Sequence, residues 1–149
     1  ALSRQFMHRK VGKSYAALVA GSPNADEGEI ELPLNVDWPN RPHQFVDHQA
    51  GKPARTLWRI TERREGTSPA GARTLIEMRP ETGRTHQLRV HCATPGALLG
   101  LGCPIVGDTL YNPADENNPT ARLHLHADRL GFWAPHSGTW MKYHSPAPF

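Results

Sequence analysis

Residues 79–96 read "RPETGRTHQLRVHCATPG". Arg79, Arg84, His86, Arg89 and His91 crowd this stretch, with Leu88 and Val90 between them. Thr82-Gly83 supplies a turn before it and Pro95-Gly96 a stop after it, so the pattern predicts a helix from Arg84 to about Thr94. A helix N-terminus normally attracts acids, because the backbone dipole is positive there. Arginine at that end runs against the local preference and calls for an anionic partner. Free N–H groups of a first turn, with arginine forks beside them, suit a phosphate or a carboxylate.

Outward from this stretch the chain reads mostly as strands. "RTLIEMRP" (73–80) leads into it, and "RTLWRITERR" (55–64) precedes that strand across a hairpin connection at 65–72. "KSYAALVAG" (13–21) is a strand ended by glycine. "EGEIELPLN" (27–35) alternates Ile30, Leu32 and Leu34 with Glu29 and Glu31, as one half-buried strand would, and Pro33 argues for an edge or a bulge. "DWPNRPHQ" (37–44) is loop. "LHLHADRLGFW" (123–133) and "TWMKYHSP" (139–146) are the last strands, residues 1–9 look helical, and "GALLGLGCPIVGD" (96–108) reads as flexible and apolar. The expected class is α+β with a mainly antiparallel sheet, in one domain.

Composition narrows the function. The 149 residues carry a formal charge of +3, with 14 prolines, 13 glycines and nine histidines. A mild basic excess favours anionic partners without specifying one. Cys92 and Cys103 lack a metal or disulfide spacing, which fits a reduced, cytoplasmic protein. No apolar run is long enough for a membrane span. His86 and His91 are five apart and fall on different faces of a helix; His124 and His126 share a strand face but lack a third ligand, so no metal is expected. No Gly-x-Ser-x-Gly elbow supports a serine hydrolase. Cys92, following Val90 on a helix, reads as a small core residue rather than a nucleophile. Tyr15 is read either as core or as a strand-end residue facing a cleft.

Taken together, "GRTHQLRVH" (83–91) and "PIVGDTLY" (104–111) resemble the signature of the RluA-type RNA pseudouridine synthases. "KSYAALVAG" resembles that family's tyrosine-bearing strand. "LPLNVDWPNRPHQ" (32–44), "GKPARTLWRI" (51–60) and "RLHLHADRLGF" (122–132) match in the same order. "DWPNRP" is similar to the branch acting on large-subunit ribosomal RNA and transfer RNA. The resemblance implies a pseudouridine synthase fold and isomerisation of uridine in structured RNA stem-loops, with the base flipped out of its stack and without cofactor or metal. It implies catalytic roles for Tyr15, against the target base, and Arg89, paired with the catalytic aspartate. It implies a uracil-pocket wall at Leu125, and RNA contacts from Lys52, Arg84, His86 and Gln87.

Two departures stand out. The family nucleophile is the aspartate of a His-Arg-Leu-Asp motif, and that motif does not occur in the sequence. The expectation is therefore a C-terminal portion of the catalytic domain, inactive alone, with an exposed sheet edge that favours self-association. Asp108 is expected to fix a turn and not to replace the nucleophile. "CATPGALLGLGCP" (92–104) is longer than the family pattern, with Cys103 where histidine is usual. The competing reading is a non-catalytic RNA-binding module that keeps the cleft.

Overall fold

The computed structural model describes residues 2–7, 11–66 and 71–149. Its main sheet has six antiparallel strands: β1 (Gly12–Ala20), β2 (Glu27–Glu31), β5 (Arg55–Arg64), β6 (Arg73–Pro80), β7 (Leu125–Trp133) and β8 (Trp140–His144), in the order β2-β5-β6-β1-β7-β8. A separate hairpin joins β3 (Leu34–Val36) to β4 (Gln44–Val46). Two short helices, α1 (Leu2–Met7) and α2 (Gln87–Ala93), complete the α+β fold. The expected fold class is the observed one.

The period of two along the strands builds the core. Ala17 and Val19 of β1, Ile76 and Met78 of β6, and Ile30 of β2 point to one face and are 0–2% exposed. Leu88 and Cys92, four apart and so on one side of α2, pack onto that face. Tyr15 lies at the end of the same row, pairing with Met78 on one side and Ala127 on the other. The β1–β7 register shifts between Ser14 and Tyr15, a local irregularity of the kind that re-aims a side chain. The central strand thus delivers Tyr15 to the rim beside the start of α2.

Four expectations change in detail. Residues 27–35 are not one strand: β2 ends at Glu31, and beyond Pro33 the chain joins the β3–β4 hairpin. Ile30, Leu32 and Leu34 are still all buried, so the alternation reported burial correctly while proline, lacking an N–H, ended the ladder. α2 is shorter than its pattern: it begins at Gln87, with His86 as a left-handed N-cap at φ 55°. The apolar segment 96–108 is tied down by backbone hydrogen bonds from Leu101 to His91 and from Cys103 to Cys92, and Leu101, Cys103, Ile105 and Val106 are buried. The helix expected at 1–9 is described over Leu2–Met7, and residues 67–70 of the hairpin connection lie outside the described residues.

Candidate active site

Where β1, β6 and β7 meet the N-terminal end of α2, an open cleft of about 320 Å³ is lined by Tyr15, Arg84, His86, Gln87, Arg89 and Leu125, together with Lys13 and Gly83. Six of the seven site residues named from the sequence therefore come together. Lys52 does not: it is exposed, its backbone bridges to Leu34, and it stands outside the cleft.

Arg89 is the best-defined of these groups. Its Nε donates to Asp108 Oδ2 at 2.9 Å and its Nη2 to Oδ1 at 2.7 Å. The pair is bidentate, the arrangement that fits a planar fork to a carboxylate. The Asp108 side chain is fully buried and that of Arg89 is 17% exposed. The hydrogen bonds that Arg89 donates to Asp108, and the charge of that carboxylate, raise the pKa of Arg89 against an opposing burial effect. Within the described residues, then, the carboxylate on Arg89 is Asp108. Asp108 does fix a turn, as expected, with Oδ1 accepting the N–H groups of Leu110 and Tyr111, and in addition its two oxygens hold Arg89. Gly107 places Asp108 there. Its φ is +79°, and a Cβ would come within 1.8 Å of the Arg122 carbonyl oxygen, so only glycine fits.

Arg84 and Gln87 behave differently from the sequence expectation. The helix begins after Arg84, whose Nε donates to the Pro53 carbonyl at 2.8 Å. Its charge ties the turn to the 51–54 segment and does not sit in a first helical turn. Gln87 is 3% exposed. Its Oε1 accepts from Thr82 Oγ1 and from the Arg84 N–H, and its Nε2 donates to the Arg55 carbonyl and Thr56 Oγ1. Every polar position of this carboxamide is consumed inside the protein. Gln87 shapes the cleft and has no donor left for RNA.

Tyr111 is the residue the sequence reading passed over. Its hydroxyl accepts the Gln44 N–H at 2.9 Å and lies 2.7 Å from His86 Nδ1. The Arg89 guanidinium stands over its ring at 5.2 Å, a cation–π contact. The available signal was the spacing in "GDTLY": one turn of chain carries both Asp108 and Tyr111 to Arg89. Burial, and then the charge of Arg89, lower the pKa of His86, while burial raises that of Tyr111.

The other titratable candidates are structural. His91 is fully buried, with Nδ1 2.8 Å from Thr56 Oγ1 and Nε2 3.0 Å from the Leu32 carbonyl. Cys92 is fully buried, and desolvation pushes its thiol far above the ordinary range, which makes it inert. His124 Nδ1 lies 2.7 Å from the Arg122 carbonyl, and His126 Nε2 lies 2.7 Å from that of Ser145. Among the described residues no group of three histidine, cysteine or carboxylate side chains could hold a metal ion.

A six-stranded antiparallel sheet with an arginine-centred cleft at its rim defines a class that comparison with known proteins makes explicit. A family model described as RNA pseudouridylate synthase matches residues 1–94. The chain belongs to the RNA pseudouridylate synthase family. Its relatives include proteins named dual-specificity RNA pseudouridine synthase RluA. That of Pasteurella multocida is 40% identical over 99% of this chain and 63% of its own length. That of Vibrio vulnificus is 44% identical over 95% of this chain and 54% of its own length. That of Escherichia coli K12 is 41% identical over 99% of this chain and 63% of its own length. The chain thus spans a little over half to somewhat under two thirds of these relatives. Among solved structures, human RNA pseudouridylate synthase domain containing 1 superposes with a TM-score of 0.78 at 30% identity, over 99% of this chain and 59% of that one.

Proposed function

We propose that these residues form the base-binding half of an RNA pseudouridine synthase site, acting on uridine in ribosomal or transfer RNA. The observation that carries the reading is the convergence of Tyr15, Arg89 and Leu125 on one cleft. Tyr15 offers a flat face for stacking and Leu125 an apolar wall for a pyrimidine drawn out of its helix. Arg89, fixed in direction by Asp108, keeps Nη1 without a protein partner among the described residues and can reach a second carboxylate. A carboxylate beside a guanidinium stays ionised, and an ionised carboxylate is the nucleophile this family resemblance requires. The sequence holds no His-Arg-Leu-Asp. Asp108 is buried and already committed to Arg89 and two backbone N–H groups, so it is no substitute.

On this reading the 149 residues are the C-terminal portion of the catalytic domain, a cytoplasmic protein whose partner is structured RNA and whose isolated form self-associates through a sheet edge. They bind RNA without isomerising it. A pseudouridine-mapping assay on a uridine stem-loop should detect no product from the chain alone, while the salt dependence of binding reports phosphate contacts. Turnover by the isolated chain would overturn the division of labour. Failure to bind any RNA would overturn the reading itself.

A further inference from the structure

Tyr111 ties together three parts of the structure beside the cleft, two of them at one oxygen. Its own backbone N–H is held by Asp108, the carboxylate that orients Arg89. Its hydroxyl takes the N–H of Gln44, at the start of β4, and touches His86 Nδ1, at the start of α2. A phenol oxygen has a single proton to give. The Gln44 amide occupies one lone pair as a donor, and within the described residues His86 Nδ1 is the acceptor within reach for the phenol proton. With both groups neutral, Tyr111 donates and Nδ1 accepts, which leaves the imidazole proton on Nε2. Among the described residues that nitrogen has no protein partner and is not a buried orphan, and His86 lines the cleft with Tyr15, Arg89 and Leu125. The charged and titratable groups around it (Arg89, Asp108 and His43) include a cation on the cleft side, and Arg89 disfavours a second positive charge at His86. The backbone of His86 is left-handed at the N-cap of α2, a conformation that histidine adopts more readily than most residues.

We propose that Tyr111 is a positioning residue that locks His86 in its Nε2–H form, and that His86 presents this neutral donor to a ring carbonyl oxygen of the flipped pyrimidine. The inference deepens the pseudouridine synthase reading and rests on it. A phosphate would be better served by a cation; an uncharged carbonyl, sandwiched between a tyrosine face and a leucine, is matched by an uncharged N–H. The hydroxyl also makes base recognition depend on the seating of the 34–46 hairpin, because Gln44 shares the same oxygen.

The test uses the 149-residue chain with nitrogen-15-labelled histidine. Two-bond proton–nitrogen spectra should show His86 with its proton on Nε2 and Nδ1 as acceptor, and Tyr111→Phe should mix the two tautomers while the other histidines keep theirs. A stem-loop RNA with one loop uridine should move the His86 Nε2 signal, and the same RNA with an abasic site at that position should not. The affinity preference for the uridine form should fall about fivefold in Tyr111→Phe, the worth of one neutral hydrogen bond. The double variant Tyr111→Phe/His86→Gln should then bind as His86→Gln does alone, because the tyrosine acts only through the histidine. A wild-type His86 protonated on Nδ1, an unchanged tautomer in Tyr111→Phe, or equal response to uridine and abasic RNA would overturn the proposal. The expected tautomers with no RNA binding at all would uphold the Tyr111–His86 lock and overturn the RNA reading beneath it.

Discussion

Two polar clusters flank α2, and they differ in where their last donors point. The first joins Thr82, Gln87, Thr56 and His91 beneath the helix, where each residue is at most 7% exposed and each carboxamide or imidazole nitrogen has a protein partner. The second joins Arg89, Asp108, Tyr111 and His86 at the rim, where Arg89 Nη1 and His86 Nε2 have no protein partner among the described residues. A buried polar network that is fully satisfied fixes a fold and does nothing else. One that is satisfied except for donors aimed at a cleft can hold a ligand. The first cluster is buried throughout, whereas Arg89, His86 and Tyr111 are half-buried around a buried Asp108, so the last donors face protein in the first and the cleft in the second.

The sharpest way to break this contrast is at Arg89. Arg89→Ala leaves Asp108 buried with no counter-charge, and removing one partner of such a pair costs on the order of 3–5 kcal/mol. Urea denaturation should show that loss, and RNA binding should weaken with it. Gln87→Leu, in the closed cluster, takes away the acceptor of the Thr82 hydroxyl proton and of the Arg84 N–H, and the donor to Thr56 Oγ1, while the Arg55 carbonyl keeps the Glu81 N–H. It should cost about 1–3 kcal/mol for the unsatisfied groups, with RNA affinity at the stability-corrected wild-type level. Equal effects of the two substitutions on RNA binding would erase the distinction drawn between the clusters.

Acidification tests both clusters at once. His91 and His86 each have their pKa lowered, in both cases chiefly by burial. The unfolded chain therefore binds protons near the ordinary histidine value of about 6.5 while the folded chain still refuses them. The stability these neutral rings confer is complete above that value and falls as the pH drops below it. Urea midpoints should decline from pH 7.5 toward pH 5.5, and His91→Gln should flatten part of that slope. A midpoint constant over this range would show that neither ring is held neutral.

Much of this was legible in the strands and in the motif. The two-residue period over Arg55–Arg64 and Arg73–Pro80 predicted strands with the observed bounds, because alternation reports one buried face directly. Tyr15, Arg84, His86, Gln87, Arg89 and Leu125 were expected at one site and stand around one cleft. What sequence left hidden was partner choice. Gln87 looks like any surface amide until Thr82 and Arg55 are seen to saturate it. Asp108 reads as a turn residue because its turn contacts are local, whereas its pairing with Arg89 spans 19 residues and depends on how the 96–108 segment folds back along α2. Arg84 was placed at the start of a helix because the Thr82-Gly83 turn signal ends just before it, yet the left-handed His86 delays the helix to Gln87.

Tyr15→Phe should have the smallest effect on the fold and sharpen the contrast most finely. The Tyr15 ring packs against the buried cluster, and its hydroxyl has no protein hydrogen bond among the described residues. Removing that oxygen should change stability by no more than about 0.5 kcal/mol, as for substitutions that orphan nothing. The stacking face is kept, so RNA affinity should hold. In the closed cluster a hydroxyl such as Thr56 Oγ1 cannot be removed so cheaply, because Gln87 and His91 both depend on it. An oxygen that costs the fold nothing is instead free to take part in chemistry. In a protein that also carries the aspartate motif, Tyr15→Phe should bind the uridine stem-loop normally and lose isomerisation. Normal turnover there would confine Tyr15 to stacking and leave its hydroxyl without a chemical role.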